Sequence, residues 1–200
     1  MNNKENMLAV ALDLFSKKGS TAVSVRDICG ALNLKESALY YHFKNKQDLL
    51  DALYQQILDL IETMRTKFDN AFAVATQVST QEMVMVSCGF LKDYLCNPIV
   101  SKFISMLSIE RLTDSKANEV YNKLIYKMPL EQCEKVFFQM EERSFVKKSA
   151  GQNYAQIYYA IILNAYNQNV YGQCENPEAI EKALLQVSTQ IEEFYSLIKM

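Results

Sequence analysis

The sequence is poor in the residues that form tight turns. Its 200 residues include only 5 Gly and 3 Pro. Because β-sheet proteins depend on these residues for their many turns, the scarcity favours long helices joined by few loops. The sequence also lacks any apolar run of about 18 residues, so it predicts no membrane-spanning helix and no membrane partner.

The cysteine and histidine content gives no sign of a metal site, a disulfide framework or a catalytic triad. The 5 cysteines are an odd number and include no CxxC pair, which resembles neither a disulfide framework nor a zinc site. We find no secretory signal and therefore expect a cytoplasmic protein with reduced thiols. His42 is the only histidine, which excludes His-based metal clusters and Ser-His-Asp catalysis. The sequence thus predicts no metal, no cofactor and no catalytic residue.

Composition indicates an ordinary globular protein of one or two domains. Half of the residues are hydrophobic and 22% are charged, with a net charge of -2. The charge is unevenly distributed, because residues 1–50 carry seven Lys or Arg against five Asp or Glu. The N-terminal quarter is therefore the more basic end, although the bias alone is a weak sign of nucleic-acid binding.

Apolar residues recur at helical spacing from the N-terminus. Leu8, Leu12 and Phe15 predict a helix from about residue 4 to residue 18, and Gly19 can end it. The residues after about 71 predict one helix after another. Breaks between these helices are expected near residues 78–80, 97–98, 113–115, 128–129, 149–151 and 176–177.

A distinct pattern begins at Ser24. Asp27 follows three residues later, which resembles a capping box and predicts a short helix. Asn33 then allows the left-handed backbone of a tight turn, and a third short helix is predicted over 36–43. Asn45 can cap a fourth helix, of roughly 23 residues and about 35 Å. Two short helices about a turn have the spacing of a helix-turn-helix.

The residue types within this helix-turn-helix pattern are specific enough to indicate a protein family. Residues 24–28 read Ser-Val-Arg-Asp-Ile, and residues 39–46 read Leu-Tyr-Tyr-His-Phe-Lys-Asn-Lys. With the preceding Ala-Leu-Asp-Leu-Phe at 11–15, they closely resemble the signature of the TetR/AcrR family of transcription repressors. The strong part of the resemblance covers about residues 7–54.

The resemblance implies a fold and a separate function for each of two domains. The implied fold is all-α, with an N-terminal helix-turn-helix DNA-binding domain of three helices over 1–47. A C-terminal helical domain for effector binding and dimerisation is expected over 48–200. The implied function is a repressor that binds a palindromic double-stranded DNA operator as a homodimer and is released by a small, apolar effector.

The resemblance also implies which residues meet DNA. Tyr40, His42 and Lys46 match phosphate contacts, Arg26 can reach a base edge, and Tyr41 lies where an aromatic ring meets a sugar or a thymine methyl. The complete predicted DNA-contacting set is Ser24, Arg26, Lys35, Glu36, Ser37, Tyr40, Tyr41, His42 and Lys46.

Several positions depart from the family pattern or allow a second interpretation. Lys35 stands where a capping Ser or Thr is common, and Ala38 stands where a Thr often contacts phosphate. Glu36 can accept a hydrogen bond from cytosine or can stabilise the positive end of its helix. Tyr40 and Tyr41 can be core aromatics instead of DNA contacts.

The second domain is rich in Met, Phe and Tyr. Each such residue can be ordinary core, whereas similar proteins hold an inducer pocket lined by such side chains. Glu110 and Arg111 can orient the polar end of a ligand or form an exposed pair. The candidate pocket residues are Phe90, Tyr94, Phe103, Met106, Phe137, Tyr158 and Tyr159.

Two C-terminal segments predict the dimer. Residues 152–171 are apolar almost all round, and residues 180–198 show apolar residues spaced by 4 and 3, as in a helix-bundle seam. Two such helices from each subunit can form a four-helix bundle. The predicted interface residues are Tyr154, Ile161, Ile180, Leu184, Val187, Ile191, Phe194 and Ile198.

Two other functional classes compete with the repressor. A helical ligand-binding or interaction protein would keep the fold without operator binding, and the small net charge and Ala38 are compatible with it. An all-helical enzyme is disfavoured, because no set of nucleophile, base and orienting group is recognisable.

Overall fold

The computed structural model describes residues 3–73, 78–148 and 151–200. Within these ranges it contains helices and no strand, which confirms the all-α fold class. No helix of the described residues is long and apolar enough to cross a bilayer. The α-helices are α1 (Asn3–Lys18), α2 (Val25–Ala31), α3 (Glu36–His42), α4 (Lys46–Ala73), α5 (Thr80–Phe90), α6 (Pro98–Glu110), α7 (Ser115–Asn122), α8 (Met128–Glu142), α9 (Gly151–Asn169) and α10 (Pro177–Ile198).

The first compact unit comprises Met1–Thr63 and Ile99–Tyr121. Its centre is apolar: Phe15 of α1, Leu39 of α3 and Phe103 of α6 are each fully buried. Residues spaced by four along α4 supply one buried face, and an edge-to-face contact of 4.8 Å between the ring centroids of Tyr54 and Phe103 joins α4 to α6. The buried residues of α4 are Leu49, Leu53, Ile57 and Ile61.

The second compact unit comprises Met64–Pro98 and Asn122–Met200. In this unit α9 contacts α8, and α10 contacts both α5 and α9. The apolar seam of α10 faces this interior, where the ring of Phe194 lies 6.1 Å from that of Phe137. These units are defined by contacts, so the functional division into residues 1–47 and 48–200 remains a prediction.

Most of the predicted helix breaks are confirmed. Ser79 and Glu82 form a capping box at the start of α5. Before α7, Asp114 accepts a hydrogen bond from the backbone N–H of Ala117. Asn176 caps α10. Pro98 begins α6. The break predicted near 149–151 falls partly on residues 149 and 150, which lie outside the described residues.

The break predicted at residues 128–129 is wrong. The chain remains helical from α7 through a π-helical turn at Lys123–Lys127 and into α8. Pro129 has no N–H with which to bond the carbonyl of Ile125, four residues earlier. The hydroxyl of Tyr159 donates to that carbonyl instead. A tertiary hydrogen bond therefore satisfies the group that Pro129 leaves unpaired, and the helix continues.

Candidate nucleic-acid interface

A capping box fixes the start of α2. The Ser24 hydroxyl oxygen accepts a hydrogen bond from the backbone N–H of Asp27 at 3.1 Å, and the Asp27 carboxylate accepts one from the Ser24 N–H at 2.8 Å. The Ser24 hydroxyl also lies 2.6 Å from this carboxylate. These bonds hold the pKa of Asp27 below its usual value, the hydroxyl contributing most. The predicted cap is confirmed.

The turn between α2 and α3 also follows the prediction. Asn33 has a φ of 54°, in the left-handed region, and the N–H of Leu34 donates to the carbonyl of Cys29 at 2.9 Å. Lys35 occupies the N-cap position before α3 and makes no side-chain capping hydrogen bond. The departure from a capping Ser or Thr therefore leaves this helix without a side-chain cap. Glu36 lies in the first turn of α3, where its charge complements the positive helix end.

Helix α3 exposes its aromatic side chains. Leu39 is fully buried, whereas Tyr40 is 51% exposed and Tyr41 is 84% exposed. This exposure excludes the core interpretation for both tyrosines. The Tyr41 ring meets His42 edge to face, with 4.9 Å between ring centroids. Because an exposed aromatic ring forgoes its burial energy, two adjacent ones are typical of a binding surface.

The rest of the predicted DNA-contacting set lies in the same compact unit. Most of these side chains are exposed, and two are half-buried, His42 and Lys46. Their contacts with DNA stay predictions. The exposed members other than the tyrosines are Ser24, Arg26, Lys35, Glu36 and Ser37.

Lys46 has internal partners that sequence reasoning missed. Its ammonium donates to the carbonyls of Ser20 at 2.9 Å and Val23 at 3.0 Å. Lys46 therefore stabilises the turn that precedes α2. An ammonium carries three N–H donors, so these two bonds leave one with which to contact a phosphate.

Helix α6 holds the same turn from another direction. The Glu110 carboxylate accepts hydrogen bonds from both the N–H and the hydroxyl of Ser20, each at 2.5 Å. Lys102 of α6 forms an ion pair of 2.9 Å with Asp13 of α1. Glu110 thus binds the turn before α2, whereas the sequence predicted that it orients a ligand or forms an exposed pair with Arg111. No local sequence signal identifies this pair, because the partners are 90 residues apart.

The predicted pocket residues are divided between the two units. Phe103 and Met106 belong to α6 in the first unit and are fully buried. The others belong to the second unit, where Phe90 lies 5.2 Å from Tyr94 and 6.1 Å from Tyr159 between ring centroids. In the same unit, the rings of Phe137 and Tyr158 are 5.4 Å apart.

The hydroxyls of this aromatic cluster have specific partners. Tyr94 donates to the carbonyl of Leu124 at 3.0 Å, and the Tyr158 hydroxyl lies 2.9 Å from that of Ser87. Burial raises the pKa of both tyrosines. The second unit also holds a surface cavity of about 420 Å³, and none of the predicted pocket residues is among the described residues lining it. The pocket therefore stays a prediction.

The predicted dimer residues differ in exposure. Tyr154, Ile161, Ile180 and Leu184 are half-buried. The other four are buried within the single chain: Val187, Ile191, Phe194 and Ile198. The exposed apolar side chains of these helices outside the predicted set include Ile157 of α9, by 51%, and Leu185 and Leu197 of α10, by 68% and 71%.

The fold and the N-terminal sequence are similar to those of known proteins. A family model described as "Bacterial regulatory proteins, tetR family" matches residues 7–53. The Tn10 TetC protein of Escherichia coli is 29% identical over 128 residues, which cover 60% of this chain and 64% of that protein. The class C tetracycline repressor of Escherichia coli is 36% identical over 67 residues, which cover 34% of this chain and 31% of the repressor.

These two matches each span less than two thirds of the relative's own length. The structural likeness extends over nearly the whole chain. A protein from Mesorhizobium loti that is assigned to the TetR family of transcriptional regulators aligns with a TM-score of 0.75 and 13% identity. The alignment covers 98% of this chain and 96% of that protein, and at this identity it shows a shared fold alone.

Proposed function

Because the chain belongs to the TetR family of bacterial regulators, we propose that it is a transcription repressor that binds a palindromic operator as a homodimer. The observation that carries this proposal is the exposure of Tyr40 and Tyr41 on α3, directly after a capped α2 and a left-handed turn at Asn33. A repressor acts on the chromosome, so we place it in the cytoplasm. It needs no catalytic centre for this role.

Contacts to phosphate position the recognition helix, and contacts to bases give it specificity. In this proposal Ser24, Tyr40, His42 and Lys46 bind phosphates. Arg26, exposed in the first turn of α2, reads a base edge. The Tyr41 ring packs on a sugar or a thymine methyl. Lys35, Glu36 and Ser37 line the groove at the start of α3.

The dimer places two such helices in successive major grooves. Helix α9 contains no charged residue from Gly151 to Asn169, and its exposed side chains include Ile157. Leu185 adds an exposed apolar side chain on α10. Depletion of charge is typical of an interface centre. A two-fold interface through α9 and α10 would match the symmetry of an operator with half-sites about 34–36 Å apart.

Release from the operator is proposed to follow binding of a small apolar effector in the second unit. The aromatic cluster around Phe90, Tyr94 and Tyr159 supplies the chemistry for such a ligand. Tyr94 and Tyr159 donate to carbonyls of the π-helical turn at Lys123–Lys127, and such turns are frequent at functional sites. An effector that binds better to a second conformation would shift the population away from DNA.

The decisive experiment selects genomic fragments of the source organism that the purified protein binds. We expect a palindromic sequence, bound with an affinity that falls steeply as salt rises. Arg26→Ala should then relax preference at one base position in each half-site, by about 1–3 kcal/mol. A protein that enriches no sequence, and whose weak binding does not respond to salt, would instead be the helical interaction protein considered above.

A further inference from the structure

Ser20, in the turn between α1 and α2, is hydrogen-bonded at each of its polar groups. The Oε1 atom of Glu110 accepts hydrogen bonds from the N–H and from the hydroxyl of Ser20, each at 2.5 Å. The Ser20 carbonyl accepts from the ammonium of Lys46 at 2.9 Å and from the N–H of Val23 at 3.3 Å. This one residue therefore joins the end of α6 to the start of α4, and all four residues belong to the first unit.

The residue before Ser20 allows α6 to approach this closely. Gly19 has a φ of 78°, in the left-handed region that favours glycine, and its N–H donates to the carbonyl of Phe15 at 2.8 Å. A Cβ atom at this position would lie 3.1 Å from the Cγ2 atom of Ile109 and 3.6 Å from the Oε1 atom of Glu110. The end of α6 is thus packed directly against the turn, which leaves Ser20 little freedom to reorient.

The direction of the Lys46 side chain is set by the same turn. Its ammonium donates to the carbonyls of Ser20 and Val23, at 2.9 and 3.0 Å. Because a long side chain that is already held in one conformation loses little further entropy, a fixed ammonium binds a phosphate at a smaller cost than a mobile one. Val23 directly precedes Ser24, the cap of α2. Two proposed phosphate-binding groups, those of Ser24 and Lys46, therefore depend on how this turn is held.

We propose that Glu110 is a positioning residue for operator binding. Its carboxylate fixes Ser20, the Ser20 carbonyl fixes the Lys46 ammonium, and the third N–H of that ammonium is presented to a phosphate. This role rests on the proposed repressor function, since it concerns the binding of DNA. It adds a residue of α6 to a predicted DNA-contacting set that lies entirely within residues 24–46.

The charge of Glu110 distinguishes positioning from a long-range electrostatic effect. DNA is a polyanion, so removal of a negative charge from the protein by itself favours binding. Positioning predicts a change of the opposite sign, because without the carboxylate the Lys46 ammonium loses its fixed direction and the operator is bound more weakly. The sign of the change in operator affinity therefore decides between the two effects.

Two substitutions at position 110 separate the acceptor atom from the charge. Glu110→Ala removes the oxygen that Ser20 binds, whereas Glu110→Gln keeps an Oε1 acceptor and removes only the charge. We expect Glu110→Ala to lower operator affinity by about fivefold or more, and Glu110→Gln to stay within about twofold of wild type. The exposed Glu119→Ala is the matched control, because it removes a carboxylate from α7 in the same unit and should not weaken binding.

A double-mutant cycle shows whether Glu110 acts through Lys46. All variants are compared at a temperature at which circular dichroism shows them fully folded. Glu110→Ala should flatten the slope of log affinity against log salt by about one, as Lys46→Ala does. In the Lys46→Ala background it should have little further effect on affinity, because the group that it positions is already absent. Additive losses of affinity, or an operator bound more tightly by Glu110→Ala, would overturn the proposal.

Lysine labelling tests the positioning without DNA. The full-length protein is treated briefly with acetic anhydride, and the acetylation of each lysine is measured by mass spectrometry. Lys46 should react about threefold or more faster in Glu110→Ala than in wild type, because the Ser20 carbonyl no longer holds its ammonium. The exposed Lys44 is the internal control and should react equally in both proteins. An unchanged rate at Lys46 would show that Glu110 does not position it.

The two readouts separate the positioning role from the repressor function. If the wild type binds no operator, the repressor function fails, while labelling of Lys46 still decides whether Glu110 holds this side chain in place. If an operator is bound and labelling of Lys46 is the same in Glu110→Ala, the positioning role is wrong and the repressor function stands. The supporting result is faster labelling and weaker binding in Glu110→Ala, with both restored in Glu110→Gln.

Discussion

The carboxylate of Glu110 accepts two hydrogen bonds from Ser20, one from its backbone N–H and one from its hydroxyl, each at 2.5 Å. Ser20 is only 8% exposed, so water cannot readily replace this acceptor. Lys46 binds the carbonyl of the same residue at 2.9 Å. The turn before α2 is therefore held from α6 and from α4 at once, and the orientation of the Ser24 cap depends on both.

Removal of the Glu110 carboxylate should destabilise the first unit. Glu110→Ala leaves the N–H and hydroxyl of Ser20 without their charged acceptor, which costs about 1–3 kcal/mol of unfolding free energy. Glu110→Gln keeps an acceptor oxygen and should lose less. Chemical unfolding measures both variants, with the exposed Glu119→Ala as the control that stays within about 0.5 kcal/mol of wild type. Equal stability of Glu110→Ala and wild type would contradict the role of this pair.

Lys46→Ala should affect both stability and DNA binding. Loss of its bonds to Ser20 and Val23 should lower the unfolding free energy by about 1–2 kcal/mol. If Lys46 also binds a phosphate, the slope of log affinity against log salt should become shallower by about one. Salt titrations of operator binding check this, with the exposed Lys44→Ala for comparison. Weaker binding with an unchanged slope would restrict Lys46 to its structural role.

Tyr41→Ala should weaken operator binding without destabilising the fold. The side chain is 84% exposed, so its loss removes little buried area. We expect a loss of affinity of about tenfold, equivalent to about 1.4 kcal/mol, and an unchanged unfolding midpoint. Leu112→Ala is the matched control, since Leu112 is 85% exposed and lies outside the helix-turn-helix. Equal affinity of the Tyr41 variant and wild type would remove this ring from the interface.

Acid should weaken the fold partly through Asp13. Hydrogen bonds from Lys17 and Lys102 hold its pKa below the ordinary 3.8, so the unfolded chain binds this proton more readily than the folded protein. The stabilisation is complete above the ordinary value and is lost as the pH falls through the lowered one. Asp13→Asn should therefore flatten the fall of the unfolding midpoint between about pH 5 and pH 2.

The exposed Asp93→Asn variant is the control for Asp13 and should retain the wild-type acid dependence. Circular dichroism melts across the pH range measure all three proteins. Because Asp13 is itself partly exposed, its contribution is a modest part of the total slope. Identical slopes for wild type and Asp13→Asn would show that the bonds of Asp13 to Lys17 and Lys102 do not couple folding to pH.

Charges on α9 and α10 should separate dimerisation from folding. Ile157 is 51% exposed, so Ile157→Glu should dissociate the dimer into folded monomers. Ile191 is fully buried in its own chain, so Ile191→Glu should unfold the second unit. Light scattering and circular dichroism distinguish the two outcomes. A wild-type monomer at micromolar concentration would overturn the proposed dimer, and a dimeric Ile157→Glu would move its interface elsewhere.

The sequence by itself determined the features that depend on near neighbours. The Ser24–Asp27 cap, the left-handed Asn33 and the Asn45 cap of α4 all involve residues within three or four positions of each other, or the backbone of one residue. Such interactions form in any fold that contains the segment, so residue type and spacing suffice to predict them. The helix-turn-helix therefore follows from local residue types and their spacing.

Only the tertiary structure decided which distant segment packs against each helix face. Helical periodicity in α10 shows that Ile191 is buried, but burial in its own unit and burial against a second subunit give the same pattern. At Pro129, the carbonyl of Ile125 accepts a hydrogen bond from the hydroxyl of Tyr159, which lies 34 residues away in the sequence. The pairing of Ser20 with Glu110, 90 residues apart, likewise follows from the packing of helices, because the spacing of residues along a chain does not specify which distant segments meet.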